Sequence, residues 1–250
     1  MEKFITLLEQ IKKFPPFLGR VRVGIKQYPS QPPLIRGGVL AFTLAEVLIT
    51  LSVIGVVAAM TLPTVIQNYQ KQVVVNKLKK SYSNLQNALQ KSMSENGDMS
   101  TWDFPDDRVE FFSKYIVPYY KNLENGKAYY ADIKNIDGRA ANGSRCITLP
   151  DGTSVSIGDK INNSYYWMFI DVNAKKGPNR LGKDIFMLEL FPGSNQLIFH
   201  SQGQTNEQLK SDYQGGGYQC KKGTDGRYAG GKCGAKIMQD GWKINDDYPW

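Results

Sequence analysis

Residues 40–70, LAFTLAEVLITLSVIGVVAAMTLPTVIQNYQ, decide the fold of this chain. The run from Phe42 to Ile66 is nearly unbroken in its apolar character, and about 20 such residues suffice to cross a bilayer as a helix. One carboxylate, that of Glu46, interrupts the run near its start. An acid inside an apolar helix costs a few kcal/mol to insert, so it usually has a functional partner. The segment therefore predicts a membrane-spanning helix whose first turns carry a charge that needs a partner.

The positive charge of the chain is concentrated before this helix. The chain has 250 residues and a formal net charge of +8, and residues 1–41 hold +5 of it through seven Lys or Arg and two Glu. Positive charge directly before an apolar run keeps that side of the membrane cytoplasmic. The charge is therefore a topology signal, and a nucleic-acid partner is not favoured.

Three interpretations of the apolar run compete. It could be a plain membrane anchor, a secretory signal peptide cut after Ala59, or a helix cut at its front edge and kept in the mature protein. Glu46 favours the third, because the positive end of a helix favours a carboxylate in its first turns. A free α-amine at Phe42 could also pair with Glu46, in the same chain or in a neighbour.

The residues that start this helix resemble a known processing motif. Phe42, Thr43, Leu44, Glu46, Val47, Leu48, Gly55 and Pro63 are similar to the prepilin-type N-terminal cleavage and methylation motif of type IV pilins and type II secretion pseudopilins. The resemblance implies that a membrane peptidase cuts between Ala41 and Phe42 and methylates the new amine. It also implies that Glu46 neutralises the amine of an adjacent subunit during assembly. Ala41 departs from the family pattern, which usually has Gly before the cut.

The same resemblance implies a function, a set of partners and a location. The chain is expected to be a structural subunit of a type IV pilus or a type II secretion pseudopilus, and not an enzyme. Its expected partners are the prepilin peptidase/N-methyltransferase, other pilin or pseudopilin subunits, an inner-membrane assembly platform and the membrane. The expected location is the bacterial inner membrane, with a single span and an extracytoplasmic head. The alternative is a membrane-anchored binding module, such as an adhesin or a minor pilin that binds DNA or a substrate.

The domain organisation follows from the helical pattern. The prediction is a leader peptide at 1–41, a membrane and assembly helix at 42–66, an amphipathic continuation at 67–98 and a β-rich head at 99–250. Apolar residues recur at helical spacing beyond the membrane at Val74, Leu78, Tyr82, Leu85, Leu89 and Met93. Gly97 suits the end of this helix, and Pro63, with Gly55 as a weaker point, is expected to kink it. The fold class is α+β, a long kinked helix packed on an antiparallel sheet, which is also the pilin architecture.

The head contains signals for five strands and one short helix. A hairpin is predicted around the turn at Pro150–Gly152, and further strands at Tyr165–Val172, Asp184–Phe191 and Asn195–His200. A short helix is predicted around Val109–Ile116.

Three cysteines, Cys146, Cys220 and Cys233, suggest one disulfide and one free thiol in an exported domain. Cys220 and Cys233 bracket a Gly-rich loop with few apolar residues, so this pairing is favoured, and a bridge from Cys146 to either of them stays open. Such a disulfide would contribute roughly 3 kcal/mol by restricting the unfolded chain.

A loop of the head that is rich in oxygen donors is a candidate ligand site. Asp171, Asn173, Asn179 and Asp184 could hold calcium, although their spacing does not match an EF-hand, and a turn held by Asx hydrogen bonds is favoured. No cofactor is predicted. The single histidine, His200, lies in no nucleophile motif.

Overall fold

The computed structural model describes residues 42–120, 129–174, 176–212, 215–224 and 226–250, with the backbone alone at 129–132 and 140–145. The predicted leader, including Ala41, lies outside these residues. A boundary between Ser52 and Val53 divides the chain into two compact units. The head is part of the second unit, Val53–Trp250.

One long helix, α1 (Leu44–Asn96), continues from the apolar segment into the head. It passes through Gly55 and Pro63 without interruption, and the predicted kink at these two residues stays a prediction. The helix stops at Gly97, whose φ of +79° is the left-handed conformation that ends helices. The predicted end of the helix is therefore confirmed.

The second half of α1 packs on the head. Its buried face comprises Val75, Leu78, Ser81, Tyr82, Leu85, Ala88, Leu89 and Ser92. Tyr82 stacks on Phe199 with 4.8 Å between ring centroids, and its hydroxyl donates to the Leu197 carbonyl oxygen at 3.1 Å. The predicted apolar stripe is thus the face through which the helix joins the sheet.

The sheet of the head has six antiparallel strands in sequential order. They are β1 (Tyr129–Lys134), β2 (Ala140–Thr148), β3 (Ser154–Ile161), β4 (Tyr165–Asp171), β5 (Ile185–Phe191) and β6 (Gln196–Phe199). The hairpin of β2 and β3 and the three later strands lie where the sequence predicts them. The α+β class is confirmed, while β1 was not predicted.

The two faces of the sheet bury different cores, because strand side chains alternate. The face that includes Tyr166, Met168, Phe186 and Leu188 joins α1 in the larger core. The opposite face holds a smaller core of Ile133, Trp167, Phe169, Leu181, Ile185 and Met187. Both faces are therefore covered, which explains why β4 and β5 are almost entirely apolar.

Short helices complete the head. They are α2 (Arg108–Tyr115), α3 (Asn206–Lys210) and α4 (Cys233–Gln239). The Asp107 side chain caps α2 by accepting from the Val109 N–H, and Thr205 forms a capping box with Gln208 at the start of α3. The short helix predicted near Val109–Ile116 is confirmed as α2, whereas α3 and α4 were not predicted.

Candidate functional site

The carboxylate of Glu46 is engaged by Thr43 at the start of α1. Glu46 Oε2 accepts from the Thr43 N–H at 2.8 Å and from the Thr43 hydroxyl at 2.9 Å. The Thr43 Oγ1 in turn accepts from the Glu46 N–H at 3.2 Å. This reciprocal arrangement is a capping box, in which an N-cap Thr and a Glu three residues later satisfy helix N–H groups that have no intrahelical partner.

The Thr-x-x-Glu pattern at residues 43–46 would have predicted this contact from sequence alone. It gives Glu46 a capping role within its own chain, beside its expected interaction with the positive end of the helix. The role uses one oxygen only, because among the described residues Glu46 Oε1 accepts no hydrogen bond. The side chain is exposed, so this oxygen and the negative charge stay accessible to a cationic group.

The apolar part of α1 presents its side chains outward. The large apolar side chains between Phe42 and Ile66 are exposed, that of Phe42 by 84%. None of them belongs to a packed core cluster of the described residues. This helix is the one among the described residues that is long and apolar enough to cross a membrane. Among the described residues, none packs on the predicted span and assembly segment, residues 42–66.

Gly55 lies in the middle of this exposed segment. A Cβ placed on Gly55 would meet no atom within 4 Å. Glycine inside a helix costs about 1 kcal/mol relative to alanine. No contact within the part of the chain that the structure describes therefore requires a glycine at this position.

The structure joins Cys220 to Cys233 in a disulfide with an S–S distance of 2.04 Å. This is the pairing that the sequence favours, and Cys146 remains a buried free cysteine. The disulfide ties the Gly-rich loop to the first residue of α4. The loop itself is further held because the buried Lys232 Nζ donates to the Gln208 and Ser211 carbonyl oxygens.

The structure brings together the residues of the calcium prediction, mainly through turn hydrogen bonds. Asp171 Oδ1 accepts from the Asn173 N–H at 2.9 Å, and Asp184 Oδ2 accepts from the Asn173 side-chain amide at 3.1 Å. Both oxygens of Asp184 also accept backbone N–H groups, from Asn179 and Arg180. A carboxylate aimed at N–H donors is poorly placed to bind a cation, so the Asx-turn interpretation accounts for Asp184.

The electrostatics of this loop are those of buried acids. Burial raises the pKa of Asp171 to about 8, although the hydrogen bond from the Asn173 N–H lowers it. Burial likewise raises the pKa of Asp184. Asp171 Oδ2, Asn173 Oδ1 and Asn179 Oδ1 are buried without a hydrogen-bond partner. In the described part of the chain no group of three or more His, Cys, Asp or Glu could hold a metal ion, and calcium binding stays a prediction.

His200 forms a buried pair with Glu189 that the sequence does not indicate. Nδ1 of His200 lies 2.8 Å from Glu189 Oε1, and the ring packs on Tyr218 at 4.4 Å between centroids. His200 Nε2 is buried without a hydrogen-bond partner. General-base catalysis needs a nucleophile within hydrogen-bond reach of that nitrogen, and the described residues place none there.

Comparison with known proteins gives one match. No curated protein and no solved structure matches the chain. A family model described as a family of unknown function (DUF6613) matches residues 64–250. The match begins directly after Pro63, so it covers the second half of α1 and the whole head but not the segment that carries Phe42 and Glu46. The chain belongs to the DUF6613 family of unknown function.

Proposed function

We propose that this protein is a pilin-like structural subunit that is cut between Ala41 and Phe42 and assembled through residues 42–66 of α1. The filament is a type IV pilus or a type II secretion pseudopilus. The observation that carries the proposal is the exposed Glu46 carboxylate, with one oxygen uncommitted, at the start of an apolar segment that has no packing partner among the described residues.

The apolar part of α1 is an exposed surface. Residues 42–66 expose almost every large apolar side chain. An exposed apolar surface of this size marks a site of contact with a membrane or another protein. A lipid bilayer covers such a helix before assembly, and the helices of neighbouring subunits cover it afterwards. Gly55 fits this second environment, because small residues let helices approach closely in a membrane.

The Glu46 carboxylate places a negative charge in this apolar segment. A carboxylate costs a few kcal/mol in a bilayer, and a cation near it reduces that cost. Cleavage before Phe42 would create an α-amine within a few residues of Glu46. Since Thr43 occupies only Oε2, the other oxygen can accept from that amine or from the amine of the next subunit. Pairing between subunits would fix the position of each new helix along the axis of its neighbour.

The charge distribution indicates on which side of the membrane the leader and the head lie. The basic excess in residues 1–41 favours a cytoplasmic leader and an extracytoplasmic head at the bacterial inner membrane. The Cys220–Cys233 disulfide agrees with this assignment, because disulfides persist in oxidising compartments. The proposed partners are the prepilin peptidase/N-methyltransferase, other subunits and the assembly platform, and the proposed role of the head is structural.

The test separates the charge of Glu46 from its capping role. Glu46→Gln keeps the capping box, which accepts Gln at this position, but removes the charge. Glu46→Ala removes both. In the producing bacterium we expect both variants to be absent from sheared filament fractions while reaching the membrane in normal amounts. Ser52→Ala, a conservative change in the same exposed segment, is the control and is expected to assemble normally.

The outcomes are distinct. If only Glu46→Ala fails, capping explains the residue and the charge-pairing mechanism is wrong. If both variants assemble normally, the membrane-anchored binding module becomes the better account. Processing is tested by mass spectrometry of the mature chain, which is expected to begin at a methylated Phe42. A functional chain that still begins at Met1 would contradict the proposal.

A further inference from the structure

Two open clefts flank α1 directly beyond its exposed apolar part, and we call them the base clefts. Each joins side chains of α1 to Lys and Trp side chains of the head. The first has a volume of about 500 Å³, and its lining includes Lys71, Trp242 and Lys243. The second has a volume of about 370 Å³, and its lining includes Tyr69, Lys183 and Trp250.

The base clefts are positively charged. Their charged side chains are Lys71, Lys183, Lys243 and Asp184. The oxygens of Asp184 face inward and accept N–H groups of its own loop, so this acid does not offset the lysines at the surface. The main-chain oxygen of Trp250 accepts from Lys222 Nζ at 2.6 Å. The charged side chains of the clefts that are not buried are therefore all lysines.

The sequence of α1 strengthens this charge. Between residues 46 and 95 it contains five Lys and no acid. Lys77 donates to a carbonyl oxygen of the head, and Lys80 pairs with a carboxylate of the head. Lys71 and Lys79 make no ion pair with any described residue, although the Lys79 ammonium lies 5.7 Å from the centre of the Trp242 ring. The lysines nearest the apolar segment thus include two without an anionic partner.

The aromatic side chains at the clefts have the exposure of interfacial anchors. Tyr69 is 67% exposed, and Trp242 and Trp250 are partly exposed, whereas the other two tryptophans are buried. Trp and Tyr concentrate at the headgroup level of membranes because their rings have an apolar body and a polar edge. Lys side chains reach the same level with their ammonium groups.

The depth of the clefts matches the headgroup layer. Lys71 is one and a half turns beyond Ile66, about 8 Å along a helix. The polar layer on each side of the hydrocarbon core is about 5–8 Å thick. If residues 42–66 span the hydrocarbon, Lys71 and Tyr69 therefore lie among the phosphate groups.

We propose that the base clefts bind the phosphate groups of anionic phospholipids and hold the head against the membrane before assembly. This inference rests on the membrane span of the proposed function and not on filament assembly. Lysines are disfavoured next to a span on the exported side, so unpaired lysines at this place favour a role in binding an anion. Lipid phosphate is the anion that is present at this depth along the whole membrane.

The test uses tryptophan quenching in the full chain, reconstituted as single copies in lipid nanodiscs. A spin label on the lipid headgroup quenches only tryptophans at that level. We expect quenching of Trp242 and Trp250, with the signal lost in the Trp242→Phe/Trp250→Phe variant, because Trp102 and Trp167 are buried. Adding phosphatidylglycerol to phosphatidylcholine is expected to increase the quenching, and high salt to reverse the increase.

Two charge-matched variants decide the role of the lysines. Lys71→Gln/Lys183→Gln/Lys243→Gln is expected to lose the increase that phosphatidylglycerol causes. The control, Lys91→Gln/Lys134→Gln/Lys221→Gln, removes the same charge from exposed lysines elsewhere and is expected to keep it.

Other results overturn the inference. Equal behaviour of the two triple variants, or quenching that does not respond to phosphatidylglycerol, would show that the clefts do not recognise lipid phosphate. If the first triple variant instead loses filament assembly with unchanged quenching, the clefts bind a neighbouring subunit. Glu46→Gln is expected to leave the quenching unchanged, so failed assembly and failed lipid binding are separable. Flotation with the lipid checks the span itself.

Discussion

The side chain of Lys236 has no exposure to solvent, and its ammonium group lies 3.0 Å from the Asp247 carboxylate. The same nitrogen donates to Asp240 Oδ2 at 3.0 Å and to Asn206 Oδ1 at 2.8 Å. One buried cation thus joins α3, α4 and the C-terminal segment. Such a charge is stable only while all of its acceptors are in place.

We expect Lys236→Ala to lower the free energy of unfolding by about 1–3 kcal/mol, because it leaves the nearly buried Asp240 carboxylate without its cation, whereas the more exposed Asp247 keeps its pair with Lys210. Denaturant unfolding at neutral pH measures the change. Lys243→Ala, at an exposed lysine near the same segment, is expected to change the stability by no more than about 0.5 kcal/mol. Similar effects of the two substitutions would contradict a structural role for the Lys236 cluster.

Asp247 predicts how part of this stability depends on pH. The hydrogen bond from Lys210, followed by that from Lys236, lowers the pKa of Asp247 to about 2. A lowered pKa in the folded state contributes stability above the unfolded value of about 4, and this is lost as pH falls towards 2. Asp247→Asn is expected to flatten the loss of stability over that range, whereas Asp246→Asn is expected to leave it unchanged.

Asp171 predicts the opposite dependence. Its pKa is raised to about 8 by burial, so its contribution to stability is complete below the unfolded value of about 4 and is lost as pH rises towards 8. Asp171→Asn is expected to stabilise the head at pH 8, as measured by thermal unfolding. Calcium is expected to have no effect, because Asp184 faces N–H donors. A calcium-dependent stabilisation that Asp171→Asn abolishes would instead establish the cation site.

The disulfide predicts a redox-dependent stability. Cys220 and Cys233 are 13 residues apart, and closing a loop of this length contributes about 3 kcal/mol in the chain-entropy model. We expect the Cys220→Ser/Cys233→Ser variant to unfold at lower denaturant concentration than the oxidised wild type. Reductant should destabilise the wild type and Cys146→Ser but not the double variant. A double variant as stable as the oxidised protein would show that packing alone holds the loop.

Gly55 offers a test of helix packing that spares the head. We expect Gly55→Ala to leave unfolding of the head unchanged, because the new methyl group meets no atom of the described residues within 4 Å. Filament incorporation is expected to fall, since the added methyl group obstructs a closely packed neighbour. Gly193→Ala, which also adds its methyl group into open space, is the control and should assemble normally. Normal incorporation of Gly55→Ala would argue against close packing at this residue.

Much of the fold was predictable because the decisive signals are local. The apolar spacing from Val74 to Met93 and the glycine at 97 are sufficient for the second half of α1 and its end. Strands β4 and β5 are short apolar runs between turn residues. By contrast, α4 begins in a Gly-rich loop and buries Lys232 and Lys236, so its sequence resembles an exposed segment.

The candidate sites were predictable to the same extent. Glu46 stands out because a charge in an apolar run is conspicuous, and its capping contact with Thr43 is also a local pattern. The partners of Lys236 come from segments that only the folded chain brings together. In the loop from Asp171 to Asp184, the sequence shows which residues carry oxygen atoms. It does not show whether backbone N–H groups of the folded loop donate to those oxygens, and this decides whether the oxygens are free to bind a cation.

The end of β1 has a consequence for how the head behaves at high concentration. β1 is an edge strand, yet the Lys134 N–H donates to the Asn179 carbonyl oxygen and the Lys134 carbonyl oxygen accepts from the Leu181 N–H, both at 2.8 Å. Those backbone groups are therefore not open to a strand of another molecule. At the other edge, β6 is only four residues long. Exposed strand edges template aggregation, so the covered end of β1 and the short β6 reduce the edge that crowded heads offer to one another.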